Sequence, residues 1–325
     1  MKGKIRTMQI VLAISVILTG IKFFAYYITH SNSILTDALE SIVNLLTGAF
    51  ALFSLYYASR PKDADHPYGH GKIEHLSAGF EGGMIVLAGS AMIFEGINAI
   101  ITKPEIHEAD KGIYLTIVAG AINLFLGRFL VNKGKKEHSP ALQGEGKHLM
   151  SDAWSSVAIV VSLTLVYFTK WYFVDYVVSI LMGIYILLEG FKTLRDSVND
   201  LLDKADFEKI NHLIELLNKN RKTEWIDVHN LRVLKYGETL HVDCHITLPW
   251  YQSLEDSHNQ VDSVEQLIKK DFDREIEFFI HADPCVPPTS CSVCQITDCK
   301  HRQSEFKKKI DWNIDNLLPD TKHKI

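Results

Sequence analysis

Apolar residues fill this chain in long blocks up to about residue 192 and then give way to short alternations. About six blocks, at roughly 8–29, 33–58, 77–101, 112–132, 147–168 and 172–192, each approach the ~20 residues that a helix needs to cross the hydrocarbon layer. Met1–Arg6 runs straight into the first block with no small-residue cleavage site, so that block reads as a span and not a removable leader. Beyond it the pattern changes. DFEKINHLIELLNKN has a helical period, and WIDVHNLRVLKYG and ETLHVDCHITLPW alternate as strands joined at Tyr236-Gly237. SLEDSHNQVDSVEQLIKKDF reads as an amphipathic helix that starts near Ser253 and Glu255, and EIEFFIHAD as a third strand. This order suggests two helices on one face of a three-stranded sheet. About 80 residues bury only a small core, which favours association with a second copy. The expected organisation is a helical membrane domain over 1–202, a small α+β domain over 203–284 and a tail over 285–325.

Charge orients the spans. Lys2, Lys4 and Arg6 precede the first; Arg60, Lys62 and Lys72 lie between the second and third; Lys133, Lys135, Lys136 and Lys147 lie between the fourth and fifth. The opposite loops hold only Lys103, Lys111 and Lys170, with Glu105, Glu108 and Asp110 beside the first two. The positive-inside rule then puts both termini in the cytoplasm. A formal net charge of −5 argues against nucleic acid as a partner.

The chemistry lies in polar residues inside apolar blocks. His148 and Asp152, in KHLMSDAWSSVAIVVSLTLVYF, are four apart and share one helix face. Glu40 and Asn44, in SILTDALESIVNLLTGAFALFSLYYA, have the same spacing. Ionisable groups in a spanning helix are costly and mark an ion or proton path. Two such pairs face to face would supply four N/O ligands for a small divalent transition metal. Asn44 could instead be an interhelical hydrogen-bonding residue, and Asp37 a helix cap or a residue of the entrance. Lys22, Glu81, Glu95, Asn123 and Arg128 read mainly as interfacial, snorkelling or packing residues. Gly79, Gly82, Gly83 and Gly89 suit close helix packing, at a dimer seam or a moving interface. Between the second and third blocks, RPKDADHPYGHGKIEH places Asp63, His66 and His70 in a short loop, a set that suits a weak Zn²⁺ site or a merely solvated loop.

These motifs bring out a resemblance. ILTDALESIVN, RPKDADHPYGHGK, HLMSD and FFIHADPC, over residues 1 to about 285, are similar to the cation diffusion facilitator family, whose members exchange divalent metal ions for protons. The resemblance implies a six-helix membrane domain with a cytoplasmic ferredoxin-like, metallochaperone-like domain, working as a homodimer in a membrane, here the bacterial inner membrane. It carries the transport site to Glu40, Asn44, His148 and Asp152. The family usually has Asp or His at the first of these positions and Asp at the second, so this chain departs at both. The resemblance also places regulatory metal ligands at His229, His245, His258, His281 and Asp283, and a dimer-holding charge pair at Lys72 and Asp203.

The tail departs from the family. Cys285, Cys291, Cys294 and Cys299 form C-x5-C-x2-C-x4-C, followed by His301. The C-x2-C core is a frequent zinc knuckle; an iron–sulfur cluster and four reduced thiols are the other readings. A cytoplasmic tail disfavours disulfides.

The expected function is proton-coupled efflux of a divalent cation, Zn²⁺ first, by alternating access. Imidazole, with a pKa near ~6.5, can carry the proton, and metal binding expels it. Export of Fe²⁺, Mn²⁺, Co²⁺ or Cd²⁺ is the alternative, and a non-transporting metal sensor is the reading from another class. No Walker-type loop supports ATP hydrolysis, and no nucleophile–base pair supports an enzyme.

Overall fold

The computed structural model describes the backbone of residues 2–29, 32–102, 109–169, 173–237, 239–272 and 275–323, and the chain divides into two compact units, Met1–Leu202 and Asp203–Ile325. Among the described residues, the first unit holds six helices of 27–30 residues: α1 (Lys2–Thr29), α2 (Asn32–Ala58), α3 (Ile73–Thr102), α4 (Ala109–Lys136), α5 (Pro140–Thr169) and α6 (Phe173–Leu201). Two described stretches, Gly3–Phe24 and Ile73–Thr102, are by themselves long and apolar enough to cross a membrane, and Asn44–Ala58 is a shorter apolar run.

Among the described residues, large apolar side chains face outward, and polar ones lie inside beside an apolar cluster that includes Met8, Leu55, Leu130 and Leu142. Phe24, Phe94, Ile101, Phe125 and Phe168 are each at least 64% exposed, while Ser54, Glu74, Ser77, Glu81 and Thr47 are fully buried. That is the reverse of a water-soluble bundle and suits lipid, where polar groups need internal partners.

Glycines set two tight helix seams. α3 lies against α6: a Cβ at Gly82 would stand 2.6 Å from the Leu194 amide nitrogen, one at Gly89 2.7 Å from that of Leu187, and one at Gly190 2.7 Å from that of Val86. α4 lies against α5 in the same way, through Gly127 and Gly146. Backbones can approach this closely only without side chains between them. Gly79, Gly82 and Gly89 therefore serve a seam within one protomer, whereas a Cβ at Gly83 would meet nothing within 4 Å among the described residues.

The second unit runs α7 (Phe207–Lys219), β1 (Asp227–Tyr236), β2 (Thr239–Leu248), α8 (Leu254–Asp271), β3 (Ile276–Pro284), then a one-turn 3₁₀ segment at Thr289–Ser292 and the short α9 (Ile314–Leu317). The sheet order is β1-β2-β3, with β1 and β2 antiparallel and β2 and β3 parallel through the α8 crossover. Asp206 caps α7 and Ser253 caps α8, each accepting a backbone N–H of the first turn. Both helices bury apolar faces on one side of the sheet: Ile210, Leu213, Leu217, Val264 and Ile268 pack with Leu240, Val242, Cys244 and Ile246. Trp312 and Leu317 of the tail join this core. The guanidinium of Arg221 stacks 3.8 Å from the Trp312 ring and donates to the carbonyls of Ile226 and Ile310.

β1 is bulged. His229 pairs with His245 and Arg232 with Asp243, so Asn230 and Leu231 together oppose Cys244, and Asn230 adopts φ +52°. The bulge reverses the strand's alternation: Val228 faces the core before it, Leu231 and Val233 after it.

Candidate functional site

In the first unit, α2 and α5 bring Asn44, His148 and Asp152 together. Asn44 Oδ1 lies 2.8 Å from His148 Nε2, Asn44 Nδ2 donates to Asp152 Oδ2 at 2.5 Å, and His148 Nε2 lies 3.9 Å from that same oxygen. One helical turn separates His148 from Asp152, so their side chains align on α5 and the amide of α2 fits between them. Glu40 stands one turn before Asn44 on α2; its side chain, like those of Asp37 and Glu95, lies outside the described residues.

Sequence spacing did not reveal the third helix at this place. Glu81 of α3, read above as a packing or interfacial residue, is fully buried, with Oε2 3.8 Å from His148 Nδ1. Glu145, one turn before His148, is also buried, and its Oε1 would lie 3.2 Å from a Cβ at Gly48 of α2. An acidic residue in a spanning helix was the one available signal, and no periodic rule says which helix it faces. Of the other intramembrane polar residues, Lys22 donates to Ser41 at 2.8 Å, Asn123 is buried and Arg128 is exposed.

Between α2 and α3, Asp63, His66 and His70 form a compact group with ligand atoms within 4.8 Å of one another. Asp63 Oδ1 accepts the His66 backbone N–H at 2.7 Å and lies 3.1 Å from its Nδ1, while Oδ2 lies 3.3 Å from His70 Nε2. The His66 backbone donor holds the Asp63 carboxyl below its ordinary range, with the two imidazoles adding to the effect. His70 is buried under the Tyr57 ring, whereas Asp63 and His66 are exposed. A carboxylate and two imidazoles, partly open to solvent, can take a divalent cation and leave a position free.

In the second unit, the face of the sheet opposite α7 and α8 carries His229, His245 and His281 in register across three strands. Asp283 sits among them. Its Oδ2 is 3.4 Å from His229 Nε2 and 3.4 Å from His245 Nδ1, and its Oδ1 is 3.5 Å from His281 Nε2. His229, His245 and Asp283 have ligand atoms within 4.8 Å of one another. The tail adds two groups: Lys322 Nζ lies 3.6 Å from Asp283 Oδ2, and His323 pairs with Asp227. Burial raises the Asp227 carboxyl, but hydrogen bonds from His229 and His323 outweigh it and hold the group down at about 2.

The resemblance implies that His258 belongs to a metal site at the dimer interface. This histidine stands on α8, on the other side of the sheet, 72% exposed and 3.7 Å from Asp262, so within one protomer it does not join the other imidazoles. Lys72 lies in the turn before α3, and Asp203 follows α6 with φ +57°; the two positions belong to different units. The four tail cysteines line one pocket with Trp250, Tyr251, His301 and Arg302. Cys244 is buried in the core, where desolvation pushes its thiol up to about 12, the behaviour of an inert packing residue.

Residues 8–202 match the cation efflux transmembrane domain, and residues 203–285 match the cytoplasmic domain of cation efflux proteins. The chain is 31% identical over 271 residues to the cation-efflux pump FieF of Citrobacter koseri, covering 82% of this chain and 87% of that one. It is 30% identical over 270 residues to FieF of Salmonella typhi, with the same coverage, and 30% identical over 249 residues to the uncharacterized transporter sll1263 of Synechocystis sp., covering 77% and 80%. A membrane unit with ionisable groups inside, followed by a domain with a small mixed sheet, is thus an integral membrane transporter and not an enzyme, and the chain belongs to the cation diffusion facilitator family.

Proposed function

We propose that this protein exports a divalent transition-metal ion, Zn²⁺ first among them, in exchange for protons. The observation that carries the proposal is the hydrogen-bonded knot of Asn44, His148 and Asp152 between two helices of the membrane unit, with a fully buried Glu81 beside it. Together with Glu40 it offers imidazole, amide and carboxylate donors, a set that suits a borderline ion. Two carboxylates, Glu40 and Asp152, balance one divalent charge while His148 is neutral.

The cargo and the proton compete for the same groups. Imidazole must be neutral and the carboxylates ionised to hold the metal, so loading expels protons and protonation expels metal. Alternation between inward- and outward-facing states then lets an inward proton gradient drive metal out. The proposed setting is a homodimer with six spans per chain in the bacterial inner membrane, both termini in the cytoplasm. Asp63, His66 and His70 serve as a cytoplasmic collecting site. His229, His245, His281 and Asp283 serve as a regulatory site, which His258 of the same chain does not reach. Fe²⁺, Mn²⁺, Co²⁺ and Cd²⁺ remain alternative cargoes, because ligand type tunes preference and Asn44 removes one charge.

The test is metal uptake into sealed proteoliposomes under an imposed pH gradient, across a panel of these ions. Uptake of zinc with counterflow of protons is expected, and His148→Ala should abolish it while the protein stays folded. Zinc binding without flux would overturn transport in favour of a sensor. Flux indifferent to the pH gradient would overturn the exchange.

A further inference from the structure

The last forty residues contain chemistry that metal transport does not use. Cys285 directly follows β3 and donates its backbone N–H to Leu248 at 2.8 Å. Cys291 lies in the one-turn segment Thr289–Ser292, Cys294 just after it, and Cys299 five residues on. All four are free thiols, Cys291 and Cys294 buried and the other two half-buried. They converge on a single pocket, roofed by Trp250 and Tyr251 from the loop after β2, with the His301 ring within 5 Å of both aromatic rings.

The backbone is arranged around the sulfurs. Gln303 N–H points at Cys291 Sγ, 3.5 Å away. Thiols are weak acceptors, whereas thiolates are good ones, so a backbone donor aimed at the Cys291 sulfur suits a bound state in which that sulfur carries negative charge. Arg302 closes the turn: its guanidinium donates to the carbonyls of Cys291 at 2.9 Å, Cys294 at 3.0 Å and Ile296 at 2.7 Å.

Turn hydrogen bonds hold this stretch, among them Ser304 Oγ–H to the Pro288 carbonyl and Lys307 N–H to that of Ser292. Between β3 and α9 the one 3₁₀ turn is its regular structure, and Val293, Cys294 and Ile296 share a small cluster with Ile226 and Ile310. Short segments with so small a core are commonly closed by disulfides or a metal, and no disulfide is present here.

We propose that Cys285, Cys291, Cys294 and Cys299 bind one thiophilic divalent cation, Zn²⁺ or Cd²⁺, as a tetrathiolate site separate from the transport path. No three of these sulfurs lie within 4.8 Å of one another. A tetrahedral site with metal–sulfur bonds of ~2.3 Å is tighter than that, so binding draws the pocket inward and fastens the tail. Four thiolates hold such an ion too firmly for a cargo that must be released, which makes the site structural or regulatory. It stands whether or not the transport reading does.

The test uses the full-length protein in detergent, loaded with zinc or cobalt and passed over a weak chelator. Three forms are compared: parent, Cys294→Ser/Cys299→Ser, and His229→Ala/His245→Ala. The parent should retain about one zinc per protomer more than the cysteine variant, and its cobalt form should show the intense thiolate-to-metal charge-transfer band. The histidine variant should keep that band, and zinc should protect residues 285–305 from protease in the parent but not in the cysteine variant. Equal zinc content without the band would overturn the site. Iron and sulfide in place of zinc would replace it with a cluster. Cys299→Ser alone, at a half-buried position, should weaken retention without unfolding the tail; full retention by that variant would also overturn the four-cysteine assignment.

Discussion

The side-chain amide of Asn44 donates to the carboxylate of Asp152 across the α2–α5 contact, where the family usually has a carboxylate facing a carboxylate. An amide satisfies Asp152 without a bound cation or proton, while an aspartate there would leave two carboxylates in hydrogen-bond range that cannot both ionise unless something positive joins them. Asn44→Asp should therefore tighten divalent binding and release more protons per ion bound, measured by calorimetry in buffers of different ionisation enthalpy. Unchanged affinity and proton count would make Asn44 a packing residue.

The α3–α6 seam gives a paired test. Gly82→Ala would push a methyl group to within 2.6 Å of the Leu194 amide nitrogen, so the two backbones must part. Overpacking of this kind costs about 1–3 kcal/mol, visible as a lower melting temperature in detergent. Gly83→Ala, next to it, meets nothing within 4 Å and should melt like the parent. Equal loss in both variants would point to helix propensity or lipid contact and not to the seam.

In the soluble unit, Asp206 caps α7 and accepts from the ammonium groups of Lys209 and Lys235. Burial raises its carboxyl, but these partners outweigh it and bring it to about 2, below the ordinary 3.8. A depressed carboxyl adds stability above its unfolded pKa and loses it as pH falls through the folded one. Asp206→Asn keeps a capping oxygen but loses the charge. It should cost about 1 kcal/mol near neutral pH, after allowance for solvent screening, a smaller amount near pH 2, and nothing well below it. A difference that persists undiminished to pH 2 would assign the effect to the cap.

We propose, from the resemblance, that Lys72 and Asp203 form a charge pair that helps hold the dimer, since opposite charges attract. Lys72→Asp should weaken dimerisation or slow transport, and adding Asp203→Lys should recover part of the loss. A single variant that behaves like the parent would reduce both to solvated surface charges, each pair worth ~0–1 kcal/mol.

What could be read from the chain follows the range of each interaction. Ser253 capping α8, the alternation that puts Val242, Cys244 and Ile246 in the core, and the turn at Gly237 with φ +60° are local, and local rules predict them. The i, i+4 spacing of His148 and Asp152 put them on one face for the same reason. The place of Glu81 beside His148 is not legible in the sequence, because the two are 67 positions apart on different helices, a relation without a period. The bulge at Asn230 was invisible too: strict alternation from His229 would send Leu231 to the histidine face, and only pairing with β2 reveals the extra residue. His258 was placed by resemblance alone, and alternation said nothing about which side of the sheet its helix covers. Trp312 and Leu317 lie in the tail among Ile310, Ile314 and Leu318, a short apolar run that the sequence reading leaves unassigned, yet they complete the core of the second unit.

The glycine seams have a mechanical consequence. With backbone against backbone and no layer of side chains to shear, α3 with α6 and α4 with α5 act as two stiff beams. His148 and Asp152 ride on one beam and Glu81 on the other, with Asn44 on α2, outside both. In the proposed alternation, opening the site to either side would move one beam past the other without bending either. The separation of His148 and Glu81, 3.8 Å in this state, is the gauge on which that stroke would be read.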